Sequence, residues 1–176
     1  RGRRVHGFPV SEKFRFCGPS LESQPLHHPK CGFLASPAVG FLQGRRRGLD
    51  IIEPSLDGHL YAWNSRGRLL RGYPVALIDP SVPVSQRDVA ESINDPAIGD
   101  LTGAGHDDIV VGTNEEYPAS NAAPPVSGGL AGLQGTLLSP ASGGSARVYA
   151  IDGATGKIMR GWPIAINGAL QSELPL

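Results

Sequence analysis

Apolar residues fall in short bursts separated by glycine, asparagine and aspartate, the pattern of short strands joined by tight turns rather than of long helices. Eight such stretches stand out, near 36–42, 49–55, 59–64 and 68–77, then near 96–101, 107–113, 146–152 and 157–166. Within 59–64, Leu60 and Ala62 alternate with Tyr61 and Trp63, so the strand presents two different faces. Leu56-Asp57-Gly58-His59 and Asn64-Ser65-Arg66-Gly67 carry the Asp-Gly and Gly chemistry that hairpin turns favour. The longest apolar run, Pro74-Val75-Ala76-Leu77-Ile78, falls far short of the roughly 18 residues that cross a bilayer, which predicts no membrane insertion.

The stretches repeat in order. Gly7-Phe8-Pro9-Val10, Gly72-Tyr73-Pro74-Val75 and Gly161-Trp162-Pro163-Ile164 share one signature of glycine, aromatic, proline and β-branched residue. Upstream of the last two, Leu60-Tyr61-Ala62-Trp63-Asn64 answers to Val148-Tyr149-Ala150-Ile151-Asp152, and Ser36-Pro37-Ala38-Val39-Gly40 to Asp95-Pro96-Ala97-Ile98-Gly99. Leu49-Asp50-Ile51-Ile52 likewise answers to Asp107-Asp108-Ile109-Val110. A small four-stranded sheet cannot bury both faces alone and must stack on another of its kind, and radial stacking of such sheets is a β-propeller. The fold expected is therefore all-β, a β-propeller fragment with two complete four-stranded antiparallel blades and flanking partial blades. Its parts are the last strand of a preceding blade at 1–10, a cysteine-containing loop at 11–35 and a blade at 36–77. An inter-blade loop at 78–95 follows, then a blade at 96–167 carrying a Gly/Ser/Pro-rich insertion at 114–145, and the start of a further blade at 168–176.

Composition agrees with strands and turns: 24 glycines and 16 prolines stand against 18% charged residues. With 16 basic and 16 acidic residues the net charge is zero, which argues against nucleic acid as a partner. Cys17 and Cys31 are the only cysteines, and an even pair in one irregular stretch fits a loop-closing disulfide of an oxidising compartment, with two unpaired thiols as the alternative. No export signal follows Arg1-Gly2-Arg3-Arg4, so the address of a secreted parent would lie upstream.

The run from Pro96 to Gly112, with Asp100-Leu101-Thr102-Gly103-Ala104-Gly105-His106-Asp107-Asp108 at its centre, resembles the FG-GAP (VCBS-type) repeat of integrin α-chain propellers. The resemblance implies a calcium loop in the second blade only. Asp100 would take its first position, Thr102 its third and Asp108 its ninth, with the carbonyl of His106 as a further donor. Ala104 replaces a ligand, which implies a weak site, and Asp100 and Asp108 could instead accept hydrogen bonds from their own loop. In the first blade Arg45-Arg46-Arg47 stands where ligands would be, which excludes calcium there. Ala150-Ile151-Asp152-Gly153-Ala154-Thr155-Gly156-Lys157 is similar to the docking motif of quinoprotein-type propellers, which locks blades together and does not hold the quinone.

No Gly-x-Ser-x-Gly elbow, His-Glu-x-x-His or Gly-x-x-x-x-Gly-Lys is present, so no catalytic constellation is expected. His27, His28, Cys17 and Cys31 lack the spacing of a zinc site. Trp63, Tyr73, Tyr149 and Trp162 hold repeat-locked positions, which favours packing between blades over stacking on sugars. The expectation is a non-enzymatic binding or scaffolding segment of a secreted or cell-surface protein. Its partners are the remaining blades of the ring and a protein or glycan ligand met by loops 11–35, 78–95 and 114–145. The competing expectation is a non-catalytic or quinoprotein-like propeller portion of a larger enzyme.

Overall fold

The computed structural model describes residues 2–12, 32–83, 92–115 and 146–166. They form two antiparallel sheets and almost no helix. Sheet one has the order β1 (Ala38–Gly40), β2 (Asp50–Pro54), β3 (His59–Asn64) and β4 (Val75–Ala76). Sheet two is built on β7 (Asp108–Asn114) paired with β8 (Ala146–Asp152). Two short strands, β5 (Ser92–Ile93) and β6 (Ala97–Gly99), line the far side of β7. Two more, β9 (Lys157–Ile158) and β10 (Ile164–Ile166), line the far side of β8. Among the described residues no helix is long and apolar enough to cross a membrane.

The two sheets share one register. Ala38 faces Ile52 and Gly40 faces Asp50 as Ala97 faces Val110 and Gly99 faces Asp108. Ile52 opposes Ala62 as Val110 opposes Ala150, and Leu60 opposes Val75 as Val148 opposes Ile164. A one-residue slip in either sheet would turn its apolar residues to the other face, so matching register places matching side chains on matching faces.

Every stretch expected to be a strand contains one, but the fourth of each set is broken. In place of continuous strands over 68–77 and 157–166, Leu69 bridges to Trp63 and pairing resumes at Val75, as β9 ends at Ile158 and β10 begins at Ile164. The break falls at the Gly-aromatic-Pro signature. Gly72 and Gly161 sit at φ of 91° and 88°, outside the extended region, and the proline that follows has no amide to give the ladder. The Phe8-Pro9, Tyr73-Pro74 and Trp162-Pro163 peptides are all cis. A further difference lies in 78–95, expected to be loop throughout: its last residues form β5, which pairs with the end of β7.

One hydrophobic core joins the sheets. Ile52, Leu60, Ala62 and Val75 of sheet one meet Ile109, Val111, Tyr149 and Ile151 of sheet two, with Leu42, Leu70, Tyr73 and Leu77 completing the cluster. These strand positions alternate with residues on the opposite faces, as face-to-face stacking requires.

Candidate functional site

The contact between the sheets is made of pieces that recur. A Cβ on Gly72 would lie 2.1 Å from the carbonyl oxygen of Thr155, in the β8–β9 turn of sheet two. One on Gly7 would lie 1.9 Å from the carbonyl oxygen of Arg66, in the corresponding turn of sheet one. Both turns end in a glycine, Gly67 and Gly156, at φ of 69°. The signature thus docks on the next turn through bare backbone, where any side chain would hold the chains apart. The Tyr73 hydroxyl adds a buried hydrogen bond to the Gly153 carbonyl (3.0 Å). Nearer β1 and β6 the Phe41 amide donates to Asp107 Oδ2 (2.7 Å), the Asp107 amide donates to the Phe41 carbonyl (3.1 Å), and the Ser36 amide donates to Asp95 Oδ1 (2.7 Å). The third signature differs: among the described residues nothing lies within 4 Å of a Cβ built on Gly161.

At the opposite rim, where β2 turns into β3 and β7 ends, the three long insertions take root. The Glu12 carboxylate, near the start of the first, accepts from the Gly32 amide toward that insertion's far end and from the Ser55 hydroxyl, both at 3.1 Å. Arg147 ties the other two: its Nε donates to Asp79 Oδ2 (2.6 Å), and its Nη1 lies 3.3 Å from Glu115 Oε2. Glu115 also accepts from the hydroxyls of Tyr149 (2.5 Å) and Thr113 (2.8 Å). Burial acts to raise the Asp79 carboxyl, but the Ser81 and Arg147 hydrogen bonds outweigh it and hold the group below its ordinary range. The matching place in sheet one is built on Asp57. There the Tyr61 hydroxyl donates to Asp57 Oδ2 (2.6 Å) and the His59 amide to Asp57 Oδ1 (3.0 Å). These bonds overcome burial and lower the Asp57 carboxyl.

The loop expected to hold calcium closes on itself. Asp100 Oδ1 and Oδ2 accept from the amides of Ala104 (3.0 Å) and Gly105 (2.9 Å), and bonds from these amides keep its carboxyl below the ordinary range. Asp108 Oδ2 accepts from the Leu101 amide (3.1 Å) and the Thr102 hydroxyl (3.3 Å). His106 points elsewhere: its Nε2 lies 3.7 Å from Asp108 Oδ1 and 3.7 Å from Asp152 Oδ1, a buried atom without a hydrogen-bond partner. One nitrogen and two carboxylates make a donor set closer to that of zinc than to the all-oxygen shell of calcium. Asp152, in β8, is absent from the sequence expectation because 44 residues of chain separate it from Asp108, and only strand pairing brings them together. Its sequence signals are its correspondence to Asn64 in the repeat and its place in the run similar to the docking motif, and neither points to a metal.

Trp63, Tyr73 and Tyr149 are buried, in keeping with a packing role, while Trp162 is half-buried. Arg45–Arg47 forms an exposed 3-10 turn, with the Arg45 guanidinium 5.1 Å from the centre of the Phe41 ring. Cys17, Cys31, His27 and His28 lie outside the described residues, as does most of 114–145. No family model, curated protein or solved structure matches the chain.

Proposed function

We propose that the chain is a stretch of a β-propeller-type repeat array, akin to the FG-GAP/VCBS type, that works as an extracellular or cell-surface binding scaffold without chemistry of its own. Stacked sheets supply rigidity, and the insertions at 11–35, 78–95 and 114–145 meet a protein or glycan. The observation that carries the reading is the common rim. Glu12, Asp79, Glu115 and Arg147 anchor the roots of all three insertions along one edge of the stacked sheets. Binding surfaces are commonly loops held by such a scaffold. The opposite edge carries short turns, where Asp100, Thr102, His106 and Asp108 serve chiefly to shape the loop and any calcium is weakly held.

The test is a glycan array and a panel of matrix proteins probed with the chain and with a version in which 116–145 is replaced by a short Gly-Ser linker. A ligand bound by the first and lost by the second, with the strand signal in circular dichroism unchanged, supports the proposal. Binding that survives the shortening of all three insertions, or a bound quinone with turnover of a substrate, contradicts it.

A further inference from the structure

We propose that the edge formed by the short turns, opposite the insertion rim, is a second binding surface, and that its ligand is a linear sulfated polysaccharide laid across the stacked sheets. The choice of an extracellular polyanion rests on the scaffold reading above, while the surface itself rests on where the charges lie.

Register builds the edge. Gly40, Asp50 and Asn64 stand side by side at one end of sheet one, so the Arg45–Arg47 turn after β1 shares that end with Arg66 and Arg68 in the turn after β3. Gly99, Asp108, Asp152 and Lys157 mark the matching end of sheet two. The bonds between Phe41 and Asp107 and the docking of Gly72 on Thr155 bring the two ends together. Sheets in an array stack on their faces and not on their turns, so this edge stays open however many sheets there are.

Cations recur here with the repeat. Arg3, Arg68 and Lys157 each stand four residues before a signature glycine, and His6, Arg71 and Arg160 stand directly before one. Because Gly7 docks on the Arg66 carbonyl and Gly72 on that of Thr155, the first two of these pairs approach the turn of the adjoining sheet. A polymer crossing the sheets therefore meets new cations at each. With Arg4, Arg45–Arg47 and Arg66 the edge carries ten Lys or Arg, all of them exposed.

Five aspartates share the edge, yet they are turned inward. Asp50 and Asp108 are buried, while Asp100, Asp107 and Asp152 accept from turn amides, the last from Thr155 at 2.9 Å. Among the described residues none of the ten cations pairs with a carboxylate. The opposite rim reverses the balance: there Arg147 alone stands among Glu12, Glu53, Asp57, Asp79, Asp95 and Glu115. A net charge of zero thus divides into a basic edge and an acidic rim, and the basic edge attracts polyanions. Nine of the ten are arginine, whose planar fork grips two oxygens of an oxyanion at once. Among the described residues no aromatic ring is exposed, so nucleic-acid bases find nothing to stack on, whereas the sulfates of a sugar chain need only the charges.

Calorimetric titration of the full chain with heparin tests this. With four or five cations engaged, at a slope of about −0.7 per contact, raising salt from about 50 to about 200 mM weakens binding about 50–130-fold. Hyaluronan, which carries carboxylates and no sulfate, binds more weakly. Two double variants, Arg46→Gln with Arg47→Gln and Arg68→Gln with Arg71→Gln, each weaken heparin binding about tenfold or more at low salt and reduce the slope by about 1.4. Lysine at the same positions preserves the slope. Replacing 116–145, which contains no Lys or Arg, by a Gly-Ser linker leaves heparin binding unchanged. Heparin kept by that version and lost by the Gln variants belongs to this edge, and the loops are judged on the ligands that the Gln variants still bind. Absence of heparin binding at about 50 mM salt, folded Gln variants that bind like the parent, or tighter binding to DNA or to phosphatidylserine vesicles than to heparin overturns the proposal.

Discussion

Replacing Gly72 and Gly161 by alanine, one at a time, separates the cost of docking from the cost of backbone shape. The two glycines occupy the same signature with nearly the same φ, 91° and 88°. An alanine in this region costs about 1–2 kcal/mol wherever it sits. At Gly161 that is the whole penalty from the described residues, none of which lies within 4 Å of the added carbon. At Gly72 the carbon would stand 2.1 Å from the Thr155 carbonyl oxygen, so the two sheets must move apart. Forcing an atom into a packed contact adds about 1–3 kcal/mol. The expected losses are about 2–5 kcal/mol for Gly72→Ala and about 1–2 kcal/mol for Gly161→Ala. Urea unfolding followed by tryptophan fluorescence measures both, and at about 1–3 kcal/mol per molar the midpoints should differ by about 0.3–3 M. Equal midpoints would refute the reasoning, because the signature would then be a feature of chain shape and not a joint between sheets.

Arg147→Met removes the guanidinium that pairs with the buried carboxylates of Asp79 and Glu115 and is expected to cost about 3–5 kcal/mol in urea unfolding; a loss under about 1 kcal/mol would mean that the cluster does not anchor the rim. Burial first, and then the Asp95 carboxylate, push Glu53 up to about 7. The folded chain therefore holds a proton that the unfolded chain releases at lower pH, and stability falls as pH rises from the ordinary glutamate range to about 7. The fall is about 1–2 kcal/mol after allowance for solvent screening, and Glu53→Gln should flatten it in thermal melts across this window. In calorimetry calcium is expected to give only weak heats, unchanged by Asp100→Ala, whereas zinc heats vanish in His106→Ala. Calcium heats that vanish in Asp100→Ala and persist in His106→Ala would favour the calcium loop over the histidine site.

The strands were legible because the apolar stretches alternate and recur in a fixed order, and Leu60-Tyr61-Ala62-Trp63 reads directly onto two faces of β3. The break in the fourth strand was less so. The expected spans ran through Gly72-Tyr73-Pro74, where a positive φ and a missing amide interrupt the ladder. Of the candidate ion site, His106 and Asp108 were visible as loop residues, but Asp152 enters through β8 and only register places it beside them. The anchoring cluster was invisible for the same reason, since Asp79, Glu115 and Arg147 come from three separate segments. Glu12 and Gly32 likewise meet across the length of an insertion.

Proton Overhauser contacts test most directly whether one docking joint is used twice. The stacked sheets require short interproton distances between Gly7 and Gly67 and, independently, between Gly72 and Gly156, in the same pattern. Observing both sets in the 176-residue chain is the expected result. Finding the strands of both sheets formed while either set is absent would contradict it.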